Sequence, residues 1–320
     1  MQKHNIIFFG TSSFAAHILD CLLLTSYAPS TIVTQPDKPQ KRSTEPVPPP
    51  VKTLALAKNI PPENILQPAR VRDEQFLQTL ESLQPSLIIV AAYGQILPKR
   101  LLDIPPEGCL NVHASLLPKH RGASPIAATL VNDDPTTGVT IMLMDEGMDT
   151  GPILTMDELA INPTETRETL EEKLAELGAR LLIKTIPLWI EKKITPKPQD
   201  NNQATNTKLL TRADGKINWN KTANEIECEM RAYTPWPGTW TTWTERKQQI
   251  TIHTGKVLTE DIPMNTHTPG EVLLLPEKKL AIACGNGFFL PEIVQLAGKK
   301  ATPIDEFIRG YINFIGGHLE

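Results

Sequence analysis

Short apolar runs alternate with amphipathic stretches along the first 190 residues. Runs rich in Val, Ile and Leu predict strands at residues 6–9, 32–34, 87–92, 109–113 and 138–144. Apolar residues at helical spacing predict helices at residues 14–24, 51–58, 73–83 and 164–189. Because strands alternate with helices, we predict an α/β domain with a parallel-rich sheet here.

The pattern changes in the last third of the chain. Residues 191–208 are rich in proline, amides and threonine and predict a linker. Beyond them, short alternating runs predict strands at 216–219, 240–244, 249–253, 270–275, 280–283 and 288–294, with one helix at 224–231. We therefore predict a domain over 1–190, a linker over 191–208 and a small β-barrel or sandwich over 209–320.

Composition and charge exclude several classes of protein. The net charge is −4, and residues 209–320 carry 12 Lys and Arg against 13 Asp and Glu, so contact with nucleic acid requires a local basic patch. No run approaches the roughly 20 apolar residues of a membrane span, and the first residues lack a signal-peptide pattern. The four cysteines are scattered without a CxxC motif, which predicts a reducing, cytoplasmic setting.

Three polar residues lie within or just after the apolar runs at 109–113 and 138–144. Asn111 and His113 are two residues apart, so their side chains leave a strand on the same face. Asp149 lies in the turn-like segment after the second run. We expect both runs to end at one edge of the sheet, where ligands of α/β proteins bind, so that the three groups meet.

Each of these residues also has an ordinary structural explanation. His113 alone fits a buried core histidine, Asn111 fits a turn cap, and Asp149 fits a residue that holds a turn. Asp145 and Glu146 are alternative carboxylates nearby. Together, however, an imidazole and a carboxylate at a strand end are suited to proton transfer and to orienting the ring.

Other chemistries are poorly supported. The turn after the first run has one glycine, Gly10, which does not match the GxGxxG fingerprint of a dinucleotide site. Ser115 lacks the G-x-S-x-G elbow of a hydrolase. One histidine with carboxylates on a turn makes a poor ligand set, so we expect no metal.

A proline-rich stretch interrupts the α/β pattern at residues 35–50. It carries Lys38, Lys41 and Arg42, and it predicts an irregular loop because proline lacks a donor and fixes φ. A loop of this length inside an α/β domain is commonly functional, although a solvated loop with incidental charge is the alternative.

The blocks NVHASLLPKHRGASPI and TGVTIMLMDEGMDTG closely resemble the folate-dependent formyltransferases. The blocks QPDKP, AYGQILP, RAYTPWPG and LAGKK extend the resemblance over nearly the whole chain, and RAYTPWPG resembles the members of the family that act on methionyl-tRNA. The resemblance implies a Rossmann-like formyltransferase domain followed by an OB-like domain that presents a surface to tRNA.

The resemblance also implies an activity, a formyl donor and site residues. The formyl group of 10-formyltetrahydrofolate would pass to the amino group of methionine on initiator tRNA, for translation initiation. Asn111 and protonated His113 would donate hydrogen bonds to the oxyanion, and Asp149 would orient His113 and accept a proton. Residues implied to contact folate are Ser115, Leu116, Leu117, Pro118, Ile96, Leu97 and Pro98. Residues implied to contact tRNA are Lys38, Lys41, Arg42 and Lys208.

Three alternatives stay open at this point. Related enzymes that formylate amino-sugar nucleotides or hydrolyse formyl-folate carry the same three polar residues, and a folate- or RNA-binding protein without activity is the third. We expect a monomer without membrane contact. The chain departs from the family pattern at Thr44, Glu45 and His120. With the slightly acidic second domain, these departures predict a tRNA affinity that falls less steeply with salt than is usual.

Overall fold

The computed structural model describes residues 4–39, 45–258, 267–276 and 279–320. The chain forms two compact units. The first contains Met1–Pro125, Pro135–Ile161 and Leu170–Lys208, and the second contains Ile126–Asp134, Asn162–Thr169 and Leu209–Glu320. Two short pieces of the predicted first domain therefore group with the second unit, and the boundaries drawn from the sequence stay a prediction.

The strands of the first unit are β1 (Ile6–Gly10), β2 (Thr31–Val33), β3 (Lys38–Pro39), β4 (Pro46–Val47), β5 (Ile65–Leu66), β6 (Leu87–Ala91), β7 (Cys109–His113), β8 (Arg121–Gly122), β9 (Thr136–Leu143), β10 (Ile153–Ala160) and β11 (Asn206–Thr207). The helices before residue 191 are α1 (Ser13–Leu23), α2 (Pro50–Ala57), α3 (Glu74–Ser82), α4 (Lys99–Leu102), α5 (Pro125–Val131) and α6 (Arg167–Ile190). The Ser12 hydroxyl caps α1 by accepting from the Ala15 amide.

A seven-stranded sheet in the order β10-β9-β7-β6-β1-β2-β5 forms the centre of the first unit. Strands β1, β2, β5, β6 and β7 pair in parallel, whereas β9 and β10 pair antiparallel. Every residue of β1, β6 and β7 is buried, as expected of strands covered on both faces. The predicted α/β fold with a parallel-rich sheet is confirmed.

The expectation that β7 and β9 end at the same edge is wrong. The two strands are antiparallel, with Asn111 opposite Met142 and His113 opposite Thr140. The carboxyl end of β9 therefore lies beside the beginning of β7, and the segment after β9 has to turn back to bring Asp149 to β7.

Two further strand pairs differ from the sequence prediction. Strand β10 was not predicted because Thr, Asp and Glu interrupt its apolar residues and only Leu154 along it is buried. The proline-rich stretch was predicted to be irregular, yet Lys38 pairs with Val47 and Pro39 with Pro46 in a short ladder. Lys41 and Arg42 lie outside the described residues.

The second unit contains β12 (Thr239–Trp243), β13 (Gln248–Val257), β14 (Val272–Leu274), β15 (Leu280–Ala283), β16 (Phe288–Leu296), β17 (Thr302–Pro303), α7 (Ala223–Tyr233) and α8 (Ile304–Gly310). Its strands form an antiparallel sheet in the order β12-β13-β16-β15-β14, with β17 paired to β16. Trp243, Phe289 and Phe314 are buried in its core. The predicted β-rich fold is confirmed, although residues 216–219 form only a single bridge, between Lys216 and Trp240.

Arg231 explains why pieces of the chain before residue 170 group with the second unit. Its guanidinium donates to the Glu165 carbonyl at 3.2 Å and lies 3.8 Å from a carboxylate oxygen of Asp133. It also pairs with Glu227 one turn away on α7, at 2.8 Å. This largely buried cation therefore contacts two segments that are distant in sequence.

The segment predicted as a linker packs against the first unit. Lys197 and Ile153 exchange backbone hydrogen bonds at 2.9 and 2.8 Å. Strand β11 then pairs in parallel with β8. In the part of the chain that the structure describes, no helix is long and apolar enough to cross a bilayer.

Candidate active site

Strand β7 places the first two predicted site residues. Asn111 and His113 project from the same face, and only 8% and 5% of their surfaces are exposed. Their polar groups therefore lie in surroundings largely closed to water, where each electrostatic contact is stronger than in solution.

Asp149 joins these two residues, so the three predicted groups do meet. Its Oδ1 accepts a hydrogen bond from Asn111 Nδ2 at 3.2 Å. Its Oδ2 accepts from the Gly122 amide at 2.7 Å and lies 3.6 Å from His113 Nδ1. The Asp149 side chain is 15% exposed against 6% for that of His113, so the carboxylate is the more accessible of the two groups.

The His113 ring is held by a backbone carbonyl. Its Nε2 lies 3.0 Å from the His120 carbonyl oxygen, which only accepts, so this nitrogen carries a proton. Its Nδ1 is beyond hydrogen-bond distance from Asp149, although both ring nitrogens face oxygens.

The turn around Asp149 explains the spacing of the DEGMDTG block. Asp149 adopts the left-handed region, with φ of +55°, which costs about 1–2 kcal/mol for a residue with a side chain. Asp145 stabilises the turn by accepting from the Gly147 amide and the Thr150 hydroxyl, at 3.1 and 2.7 Å. A Cβ on Gly151 would lie 1.9 Å from the Leu143 carbonyl oxygen, so only glycine fits there.

Two residues next to the site were missed by the sequence analysis. Gln199 Nε2 donates to the Asp149 and Gly151 carbonyls at 2.8 and 2.7 Å. Arg121 donates to Gln199 Oε1 from Nε and Nη2, at 3.0 and 2.8 Å. The contacts of Gln199 with the turn are made to backbone atoms, so no side-chain pattern in the sequence signals them.

The residues predicted to contact folate divide by exposure. Ile96 is 74% exposed, whereas Leu97 and Leu117 are each 3% exposed and face the core. Ser115 is fully buried, and its hydroxyl donates to the Lys119 carbonyl at 2.7 Å. The remaining members, which are partly buried, are Leu116, Pro118 and Pro98.

The residues predicted to contact tRNA are distant from Asp149 in sequence. Lys38 is exposed on β3, and Lys208 is exposed immediately after β11. Lys41 and Arg42 are outside the described residues, so only two of the four positions have a described location.

Burial makes the one thiol on β7 unsuited to nucleophilic chemistry. It raises the pKa of Cys109 to about 12, so the thiol stays protonated at neutral pH. Burial also raises the pKa of Tyr93, in the turn after β6, above that of an ordinary tyrosine. Among the described residues, no group of three or more His, Cys, Asp or Glu side chains could hold a metal ion.

Comparison with known proteins identifies the family. Residues 4–186 match the family described as Formyl transferase, and residues 209–312 match Formyl transferase, C-terminal domain. A methionyl-tRNA formyltransferase of Syntrophus aciditrophicus is 40% identical over 311 residues, which cover 97% of either chain. The chain belongs to the methionyl-tRNA formyltransferase family. A Geobacter sulfurreducens member of this family is 38% identical over 97% of this chain and 95% of its own.

Solved structures of more distant proteins share the fold. The sugar 3N-formyl transferase WlaRD, solved with dTDP and 5-N-formyl-THF, is 19% identical with a TM-score of 0.63, over 94% of this chain and all of its own. HypX from Aquifex aeolicus, solved with tetrahydrofolic acid, is 12% identical with a TM-score of 0.63 over 98% of this chain. This formyltransferase chain spans about half of HypX, 48% of its length.

Proposed function

We propose that this protein transfers the formyl group of 10-formyltetrahydrofolate to the free amino group of methionine on initiator methionyl-tRNA. The product is N-formylmethionyl-tRNA. The observation that carries the proposal is the convergence of Asn111, His113 and Asp149, at 3.2 and 3.6 Å, in a chain of this family. The relatives named above are bacterial proteins that act on methionyl-tRNA by name, so the proposal includes a role in bacterial cytoplasmic translation initiation.

Two hydrogen-bond donors suit the developing negative charge. When the amino nitrogen bonds to the formyl carbon, the electron pair of the C=O double bond moves onto the formyl oxygen as negative charge. When the bond from that carbon to the donor nitrogen breaks, the C=O bond re-forms and the donor nitrogen takes up a proton. Asn111 uses one amide hydrogen on Asp149, which leaves its second for that oxygen, and a protonated His113 would add its Nδ1–H as a second donor. A donor in this role is typically worth about 10²–10³ in rate.

Asp149 is suited to accept the proton that the attacking nitrogen loses. Each carboxylate oxygen has lone pairs beyond those used by Asn111 and Gly122. Its greater exposure makes it the more accessible of the two groups to an incoming amine, which supports this role. General-base catalysis contributes about 10²–10⁴ in rate.

The substrate contacts are part of the same proposal. Ile96, Leu116, Pro118 and Pro98 are at least partly accessible and would touch folate. The buried Ser115, Leu97 and Leu117 would support them from below. The tRNA contacts would be made by Lys38, Lys41, Arg42 and Lys208, in a monomeric protein.

A comparison of acceptors tests the proposal. Purified protein and 10-formyltetrahydrofolate are incubated with methionyl-tRNA, with a dTDP-linked amino sugar, or with no acceptor. Formylmethionyl-tRNA in the first reaction alone is the expected result. Formate released without an acceptor would indicate a hydrolase, a formylated sugar would indicate a sugar enzyme, and no turnover would indicate a binding protein.

A further inference from the structure

We propose that Gln199 is a positioning residue for Asp149, and that Arg121 sets the orientation of Gln199. This inference rests on the proposed role of Asp149 in formyl transfer. It assigns a function in the active site to a segment whose sequence is typical of a linker.

Gln199 fixes the turn that carries Asp149. Its Nε2 lies 2.8 Å from the Asp149 carbonyl oxygen and 2.7 Å from that of Gly151, so both amide hydrogens are used on carbonyls two residues apart. These contacts bracket Thr150 and hold the left-handed backbone of Asp149, whose φ is +55°. A side chain that bridges two carbonyls in this way limits rotation of the turn as a whole.

Arg121 decides which end of the Gln199 amide faces the turn. A guanidinium only donates hydrogen bonds, so the oxygen of Gln199 must face Arg121 and the nitrogen must face the turn. Arg121 is itself 6% exposed, and its Nη2 also donates to Asn201 Oδ1 at 2.9 Å. The amide of Gln199 therefore has one satisfied orientation, in which the donors meet the carbonyls of the turn.

Gly122, the residue after Arg121, contacts the side chain of Asp149, whereas Gln199 contacts its backbone. The Gly122 amide donates to Asp149 Oδ2 at 2.7 Å, so the carboxylate is held from the side-chain end by Gly122 and from the backbone end by Gln199. A Cβ on Gly122 would lie 2.4 Å from the Thr207 carbonyl oxygen, which fixes this segment against β11. Both contacts are needed to keep the carboxylate beside His113 Nδ1 and Asn111.

Two substitutions separate the proposed role from a role in packing. Gln199→Ala removes the bridge. Gln199→Glu keeps the size and the contact with Arg121, but it places a carboxylate without donors against two carbonyl oxygens. Both variants should lower kcat roughly 10- to 100-fold, the effect of a small misplacement of a reacting group, and leave KM for both substrates within about twofold. Wild-type kcat in Gln199→Glu would overturn the inference, because it would show that only the contact with Arg121 matters.

Gln203→Ala is the matched control. Gln203 lies in the same segment, is exposed, and donates from its side chain to Asp200 at 2.9 Å rather than to the turn. It should keep the kcat of the wild type. An equal loss in Gln203→Ala would point to general disturbance of the segment and would contradict a specific role for Gln199.

A double-mutant cycle with Asp149→Asn tests whether Gln199 acts through Asp149. If it does, adding Gln199→Ala to Asp149→Asn should lower kcat by less than about twofold further, because the group that it positions is already disabled. If the two substitutions instead lower kcat independently, so that their fold-losses multiply in the double mutant, the inference would be overturned.

Hydrogen exchange separates failure of the inference from failure of the proposed function. The Gly122 amide should exchange at least about tenfold faster in Gln199→Ala than in the wild type or Gln203→Ala, because its acceptor is no longer held. If the Gly122 amide exchanges at the wild-type rate in Gln199→Ala, the inference is overturned whichever reaction the protein catalyses. If the wild type formylates no methionyl-tRNA, the proposed function fails, and exchange still decides the positioning role.

Discussion

Asp149→Asn changes one atom in the proposed base and removes both its charge and half of its accepting capacity. In the wild type, Oδ1 accepts from Asn111 and Oδ2 from the Gly122 amide. An asparagine at this position has one oxygen and one NH₂ group. If this oxygen stays with the Gly122 amide, the NH₂ group faces the Asn111 side chain, which keeps a hydrogen bond only by turning its own amide to present the oxygen.

The magnitude follows from these contacts. Loss of the hydrogen bond between Asn111 and Asp149 costs at most about 1–3 kcal/mol, and turning the Asn111 amide recovers part of it. The melting temperature of a unit of this size therefore falls by no more than roughly 2–12 °C. The variant therefore stays folded at ordinary assay temperatures. Loss of the general base should lower kcat by about 10²–10⁴, far beyond what the loss of stability explains.

The assay is steady-state formylation of methionyl-tRNA, with circular dichroism to confirm folding. Asp145→Asn is the control, because the Asp145 oxygen that accepts from Gly147 and Thr150 can be replaced by an amide oxygen. It should keep kcat within a few-fold of the wild type. A folded Asp149→Asn with kcat within tenfold of the wild type, or an equal loss in Asp145→Asn, would refute the reasoning.

Three further predictions concern other parts of the chain. Arg42→Ala should raise KM for methionyl-tRNA and leave KM for the folate unchanged. The plot of log tRNA affinity against log salt concentration should become shallower by about 0.9, because one phosphate contact is lost. Equal changes in both KM values would contradict a phosphate contact. Gly151→Ala should lower the free energy of unfolding by more than about 1 kcal/mol, because its Cβ would meet the Leu143 carbonyl oxygen at 1.9 Å. Gly147→Ala should lower it less, because its Cβ would meet the Thr150 side chain, which can move. Urea titration measures both losses, and equal losses would oppose this account. Burial raises the pKa of Glu229, so its stabilising effect is complete below the pKa of the unfolded carboxyl and is lost as pH rises through the folded pKa. Glu229→Gln should therefore gain melting temperature relative to the wild type as pH rises above the ordinary carboxyl pKa of 4.5, and a difference that does not change with pH would contradict this.

The sequence was sufficient to predict those parts of the site that depend on local periodicity. Asn111 and His113 share a face because strand residues alternate, and β7 has the predicted bounds, Cys109–His113. The geometry that brings Asp149 to them was predicted for a wrong reason, since β9 runs antiparallel to β7. Strand direction depends on how residues 114–135 connect β7 to β9, and a short run of apolar residues carries no information about it.

The support of Asp149 could not be read from the sequence. Gln199 lies 50 positions from Asp149, in a segment without apolar periodicity, and it binds backbone carbonyls that any residue could supply. The grouping of residues 126–134 and 162–169 with the second unit likewise depends on contacts of Arg231 made through space. Hydrogen bonds between distant segments leave no repeating pattern in the chain.

The fate of a labelled formyl group tests the central claim most directly. Wild-type protein is given 10-formyltetrahydrofolate labelled in the formyl carbon, with and without methionyl-tRNA, and the label is measured in formate and in formylmethionine released from the tRNA. The account predicts that label leaves the folate only when methionyl-tRNA is present and that nearly all of it is recovered in formylmethionine. Label recovered as formate at the same rate without tRNA would contradict it.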